Sequence, residues 1–235
     1  MSNPESQRPN YRSSDPFRGE RELVNPDKSY RISEIKEKPG WVIRESNIKP
    51  FETEDGEGYS LERWKSVFHL MRDVYNIAIP ETQAIVGHDG HGHERMYLLT
   101  RKVEGVALDQ AALLPSDAAH HVENFFRNLA RYLVDQFHQG NEYYSDFKTE
   151  QLMYGRVSGE SRDRVYLVDL DLLSSRYDRV SEIYKRPEGR LSVELKILLE
   201  ELNELSDKFY PKQNFDSARA LIEEYIVEVE GRQNI

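Results

Sequence analysis

YYSDFKTEQLMYG at Tyr143–Gly155 and VYLVDLDLL at Val165–Leu173 decide how the chain is read. In the first, Asp146 is followed two residues on by Lys148 and five residues on by Gln151, and the apolar run Leu152, Met153, Tyr154 begins directly after it. The second is a β-rich apolar run that ends on Asp169. Both runs predict strands, which places Asp146 ahead of one strand and Asp169 just after another. Taken singly, the acids have ordinary explanations: Asp146 starts a turn, and Asp169 and Asp171 cap a strand end. Taken in order, an acid, a cation, an amide and a second acid are the groups that phosphoryl transfer asks for. A carboxylate orients the attacking hydroxyl, oxygen ligands hold Mg²⁺ on the phosphates, and cations cover the developing charge.

These two segments resemble the protein kinase-like superfamily, in which a catalytic-loop Asp, Lys and Asn precede a strand and a metal-binding Asp. DFKTEQLM lies over the family's D-L-K-P-E-N-I-L, and LVDLD over its I-D-F-G. The resemblance implies ATP and Mg²⁺ as cofactors, Asp146 as catalytic base, Lys148 facing the transferred phosphoryl group, and Asp169 and Gln151 as metal ligands. Mg²⁺ is a hard cation usually held by one or two carboxylates plus substrate oxygens, which suits so sparse a set. WVIR at Trp41–Arg44 resembles the third-strand V-A-I-K, with Arg44 in the place of the Lys that holds the phosphates. An exposed strand Arg explains the same residue. Glu62, in the first turn of the next helix, is the candidate partner of Arg44, and the helix macrodipole favours an acid there in any case. YLLTRKVEGVALD at Tyr97–Asp109 resembles the linker between kinase lobes, whose backbone hydrogen-bonds adenine. Thr100 would sit at the back of that pocket, with Arg101, Lys102 and Val103 on the linker.

The pattern also departs from the family. No glycine-rich loop precedes WVIR, Tyr144 and Ser145 replace His-Arg before Asp146, Gln151 replaces Asn, Asp171 replaces Gly, and no A-P-E follows. Two function classes stay open: an ATP-dependent phosphotransferase acting on a hydroxyl of a small molecule, sugar or protein, and a pseudokinase that keeps the fold as a nucleotide-binding or protein-interaction module.

The 235 residues suffice for one large domain or two small lobes. The absence of cysteine excludes disulfides, thiolate metal sites and a Cys nucleophile. A formal charge of −10 opposes general nucleic-acid binding, which depends on neutralising phosphates with Lys and Arg. The N-terminal stretch lacks the apolar core of a signal peptide and no later run has membrane-spanning length, so a cytoplasmic protein is expected.

Residues 1–28 are polar, carry Pro4, Pro9, Pro16 and Pro26, and are expected to form a disordered tail. Strands are predicted at Tyr30–Ile35, Trp41–Arg44, Thr82–Gly87 and Arg95–Thr100. Leu61, Trp64, Val67, Phe68, Met71 and Tyr75 recur at helical spacing after Ser60. His88, His91 and His93 sit on the Gly-rich connection between two strands; a metal site and a solvated hairpin tip are both compatible with them. From Ser116 a long amphipathic helix is predicted, with Val122, Phe125, Phe126, Leu129, Leu133 and Phe137 on one face and Gly140 after its end. Two further helices are marked by Leu195, Leu198, Leu199, Leu202 and Leu205, and by Leu221, Ile222, Tyr225, Ile226 and Val229. The expected fold is α+β and bilobal, with a reduced antiparallel N-lobe over 29–103 and a mainly helical C-lobe over 104–235.

Overall fold

The computed structural model describes residues 21–23, 33–35, 38–46, 61–88, 94–141, 143, 147–169 and 187–232. Five strands form one antiparallel sheet: β1 (Arg21–Leu23), β2 (Ser33–Ile35), β3 (Trp41–Ser46), β4 (Thr82–His88) and β5 (Glu94–Arg101), in the order β1-β2-β3-β5-β4. Period-two alternation sends neighbouring β5 side chains to opposite faces. Tyr97 and Leu99 pack with Ile35, Trp41 and Ile43 on one face, while Met96 and Leu98 join the main core on the other. Helix α1 (Leu61–His69) falls between β3 and β4 in the chain, and its Trp64 and Phe68 belong to that main core. The helical pattern does not stop where the α-helix does. It continues through a π turn at Leu70–Val74, where the Tyr75 N–H donates to the Leu70 carbonyl at 3.3 Å.

The chain leaves this sheet at Lys102. A second antiparallel sheet is built from β6 (Val103–Ala107), β7 (Leu152–Val157) and β8 (Arg164–Leu167), in that order. Gly105 and Gly155 face each other across β6 and β7. A Cβ on Gly105 would lie 2.0 Å from the Tyr154 carbonyl oxygen, and one on Gly155 would lie 2.3 Å from that of Glu104. The strands approach this closely only because neither residue has a side chain.

Three long helices accompany the sheets among the described residues: α2 (Ala118–His138), α3 (Pro187–Ser206) and α4 (Asp216–Arg232). Of the stripe read from the sequence, Val122, Phe125, Phe126, Leu129 and Leu133 are buried in one core with Leu195, Leu198, Leu202, Leu205, Ile222 and Val229, while Phe137 is only partly buried against it. Gly140, at φ 69°, closes α2 in the left-handed conformation that glycine adopts without strain. The α+β architecture is the expected one, an antiparallel N-terminal sheet followed by a mainly helical C-terminal part. No described helix is long and apolar enough to cross a membrane.

One boundary is corrected. Arg21–Leu23, expected inside a disordered tail, pairs with β2 from Arg21 opposite Ile35 to Leu23 opposite Ser33. Composition missed it because a ladder is made by backbone groups, which every non-proline residue carries. The other tail residues, Asp171, His91 and His93 lie outside the described residues, and His88 ends β4.

Candidate functional site

The segment after Asp146 is held from three sides. Phe147 is buried with its ring 6.0 Å from that of Phe125 and 5.5 Å from that of Phe126, so the aromatic stripe of α2 fixes the residue next to the proposed base. The Thr149 N–H donates to Glu201 Oε2 at 2.9 Å, which ties the segment to α3. Gln151 and Lys148 bond reciprocally: the Lys148 N–H donates to Gln151 Oε1 at 3.0 Å, and the Gln151 N–H donates to the Lys148 carbonyl at 3.1 Å. These bonds form the single turn Thr149–Gln151 that leads into β7. Asp146 itself lies outside the described residues. Lys148 is exposed, whereas Gln151 is 2% exposed.

Asp169 is carried just past β8, and the register of that strand is anchored at two points. The Val168 N–H donates to the Gln151 carbonyl and the Leu167 N–H to the Ala78 carbonyl, both at 2.9 Å. The first bond joins the Asp169 segment to the turn that follows Asp146. The second joins it to the connection between α1 and β4.

Arg44 and Asp169 meet. Arg44, on β3, places Nη1 3.0 Å from Asp169 Oδ1, with side-chain exposures of 9% and 25%. The third strand of the first sheet and the segment just past β8 therefore present their charges to each other. Glu62, the partner expected for Arg44, lies in the first turn of α1, and its side chain is outside the described residues.

The linker is placed at the junction of the sheets. The Thr100 hydroxyl lies 3.2 Å from that of Thr82, which donates to the Pro80 carbonyl at 2.9 Å. The Arg101 N–H donates to the Glu81 carbonyl at 2.9 Å and the Lys102 N–H to the Gly40 carbonyl at 2.8 Å. The Arg101 guanidinium donates to the Ser158 carbonyl at 2.9 Å, and the Lys102 ammonium pairs with Glu34. Val103 is buried with Val157 and Tyr166. Two of the backbone donors expected to face adenine are thus engaged within the chain.

No family model matches this chain, and no curated protein matches it in sequence. Among solved structures it is similar to the MAP kinase LmaMPK10 from Leishmania major, at 12% identity over 88% of this chain and 61% of that one, with a TM-score of 0.42. It is also similar to the Cydia pomonella granulovirus kinase PK-1, at 17% identity over 79% of this chain and 71% of that one, with a TM-score of 0.41. Likeness at this level transfers no residue role. The Arg44–Asp169 pairing stands on the geometry of this chain alone.

Sequence reasoning missed three elements of the site. Glu201 reads as one more acid on an amphipathic helix, and nothing in its neighbourhood marks it as a cap for a distant loop. The direct Arg44–Asp169 pairing is a long-range contact that no local pattern encodes. Gly105 and Gly155 were legible in principle, because an isolated glycine inside a strand pattern signals close backbone approach.

Proposed function

We propose that the chain is a divergent kinase-like phosphotransferase that binds Mg·ATP beside Arg44 and Asp169 and passes the γ-phosphoryl group to a hydroxyl-bearing acceptor. The observation that carries this reading is the 3.0 Å approach of Arg44 to Asp169, two residues singled out separately as phosphate and metal ligands. Arg44 would exchange the Asp169 carboxylate for nucleotide phosphate oxygens, since its planar fork suits both anions. Asp169, a quarter exposed, would then hold the metal. Gln151 is buried and its amide oxygen already accepts from Lys148, so it ranks as a secondary ligand. Among the described residues no group of three or more His, Asp or Glu is placed to hold a metal ion. Bound Mg²⁺ would supply charge neutralisation across the phosphates.

In the transfer, Asp146 orients the acceptor hydroxyl and takes its proton as the new oxygen–phosphorus bond forms. The bond from the γ-phosphorus to the bridging oxygen breaks and ADP leaves. Exposed Lys148 covers charge on the group in flight. The engaged N–H groups of Arg101 and Lys102 favour the second reading, a pseudokinase with weak adenine recognition. Thermal stabilisation by Mg·ATP, measured together with ADP release across pools of sugars, lipid-linked sugars, aminoglycosides and proteins, separates the two. Stabilisation with acceptor-dependent release is expected. Stabilisation without release supports the pseudokinase, and saturating nucleotide without any stabilisation ends both readings.

A further inference from the structure

A separate cleft of about 250 Å³ opens between the β7–β8 turn, the connection from α1 to β4, and one stripe of α2. His121, Asn124, Phe125 and Asn128 recur at helical spacing along α2, so they share the face that lines it. Opposite them stand Arg162 and Arg164. Ala78, Phe125 and Val165 supply apolar surface.

The charges in this cleft do not cancel. Asp163 also lines it, but its carboxylate is taken by Arg156, whose Nε and Nη2 lie 2.9 and 3.4 Å from the two carboxylate oxygens. Among the described residues, Arg162 and Arg164 have no carboxylate within ion-pair distance, on a chain whose formal charge is −10. Burial and the neighbouring His120 hold the His121 imidazole below its ordinary pKa, so this ring adds hydrogen-bonding capacity more than charge. Asn128 already spends a donor on the Asn76 carbonyl at 3.4 Å.

We infer that this cleft binds a compact organic phosphate, its phosphoryl group between Arg162 and Arg164 and its body over Phe125 and Val165, within reach of the Asn124 and His121 side chains. A carboxylate offers two oxygens and is satisfied by one guanidinium fork. A terminal phosphate offers three, enough for both arginines. The size limits the ligand, since the cleft is smaller than the roughly 300–1,000 Å³ of drug-sized sites. The site is independent of the proposed nucleotide site, although the Leu167 N–H bond to the Ala78 carbonyl places its wall against the strand that carries Asp169.

The test uses the full chain with phenyl phosphate, inorganic phosphate and benzoate as probes, followed by calorimetry and by backbone amide NMR shifts. Phenyl phosphate should bind saturably in the millimolar range or tighter, should exceed inorganic phosphate, and should shift the amides of Ala78, His121 and Arg164 more than those of Arg44 and Asp169. Arg162→Gln with Arg164→Gln should weaken it at least about tenfold, while Arg219→Gln on α4 leaves it unchanged. No saturable binding would overturn the inference. So would binding indifferent to the two arginines, shifts centred on Arg44 and Asp169, or benzoate binding as tightly as phenyl phosphate. Both variants expose polar surface only, and a retained wild-type amide spectrum shows that any loss is local.

Discussion

Gly155 shows how much a single missing side chain decides. A Cβ there would lie 2.3 Å from the Glu104 carbonyl oxygen and 2.7 Å from the Gly105 Cα, both backbone atoms without a rotamer to escape into. Gly155→Ala should therefore force β6 and β7 apart and cost on the order of 2–4 kcal/mol, the range of substitutions that break a backbone constraint. Urea unfolding measures it, and a loss under about 0.5 kcal/mol would show that the ladder tolerates the methyl group. Arg44 holds a comparable place in the proposed site. Arg44→Lys keeps a cation opposite Asp169 and should retain stabilisation by Mg·ATP, whereas Arg44→Gln should weaken nucleotide binding by at least about tenfold, the worth of one charge-assisted contact. Equal nucleotide affinity in the Gln variant and wild type would remove Arg44 from the phosphate site.

At the scale of elements, α3 and β8 each do more than fill the core. Glu201 on α3 accepts the Thr149 N–H three residues after Asp146, so it holds the turn that follows the proposed base. Glu201→Gln keeps the shape and weakens a charge-assisted bond. The expected result is slower transfer at nearly unchanged nucleotide affinity; a fall in affinity as large as the fall in rate would assign Glu201 to binding instead. On β8, Tyr166 is held well above its ordinary pKa, at about 12, by burial and by its hydrogen bond to Glu160. Tyr154 on β7 is also raised to about 12, chiefly by burial and by Asp117. Below about pH 10 both states keep these phenols protonated, so their contribution to stability is fully present and does not vary with pH. Above it the unfolded chain loses the protons first, so stability should fall as pH rises from about 10 toward about 12. Phenolate absorbance, read alongside denaturation midpoints, follows this. Tyr166→Phe should flatten the decline, and an unchanged slope in that variant would move the cause elsewhere.

Over the whole molecule, the sequence was legible wherever local periodicity and burial coincide. Val122, Phe125, Phe126, Leu129 and Leu133 named the core face of α2 because a helix repeats its buried side every three to four residues. Met96 to Leu99 announced a strand because a short unbroken apolar run fits a strand buried on both faces. β1 was illegible, since Arg21–Leu23 owes its conformation to a partner strand and has almost no apolar signature. The site was half legible: spacing picked out Arg44 and Asp169 separately, but only the fold shows that they meet at 3.0 Å. Mg·ATP bound there must contact groups from both sheets, Arg44 through β3 and Asp169 through the segment that hydrogen-bonds Gln151 and Ala78. A ligand that binds only the native state stabilises it by about 2.7 kcal/mol at a hundredfold excess over Kd. If it bridges the two sheets, amide protons of β3 and of β7–β8 should gain hydrogen-exchange protection together and over the same nucleotide concentrations. Asp169→Ala removes one end of the bridge, and the concerted protection should vanish even where the variant remains folded. Protection confined to one sheet, or persisting in Asp169→Ala, would place the nucleotide away from this pair and leave the 3.0 Å contact as a structural ion pair.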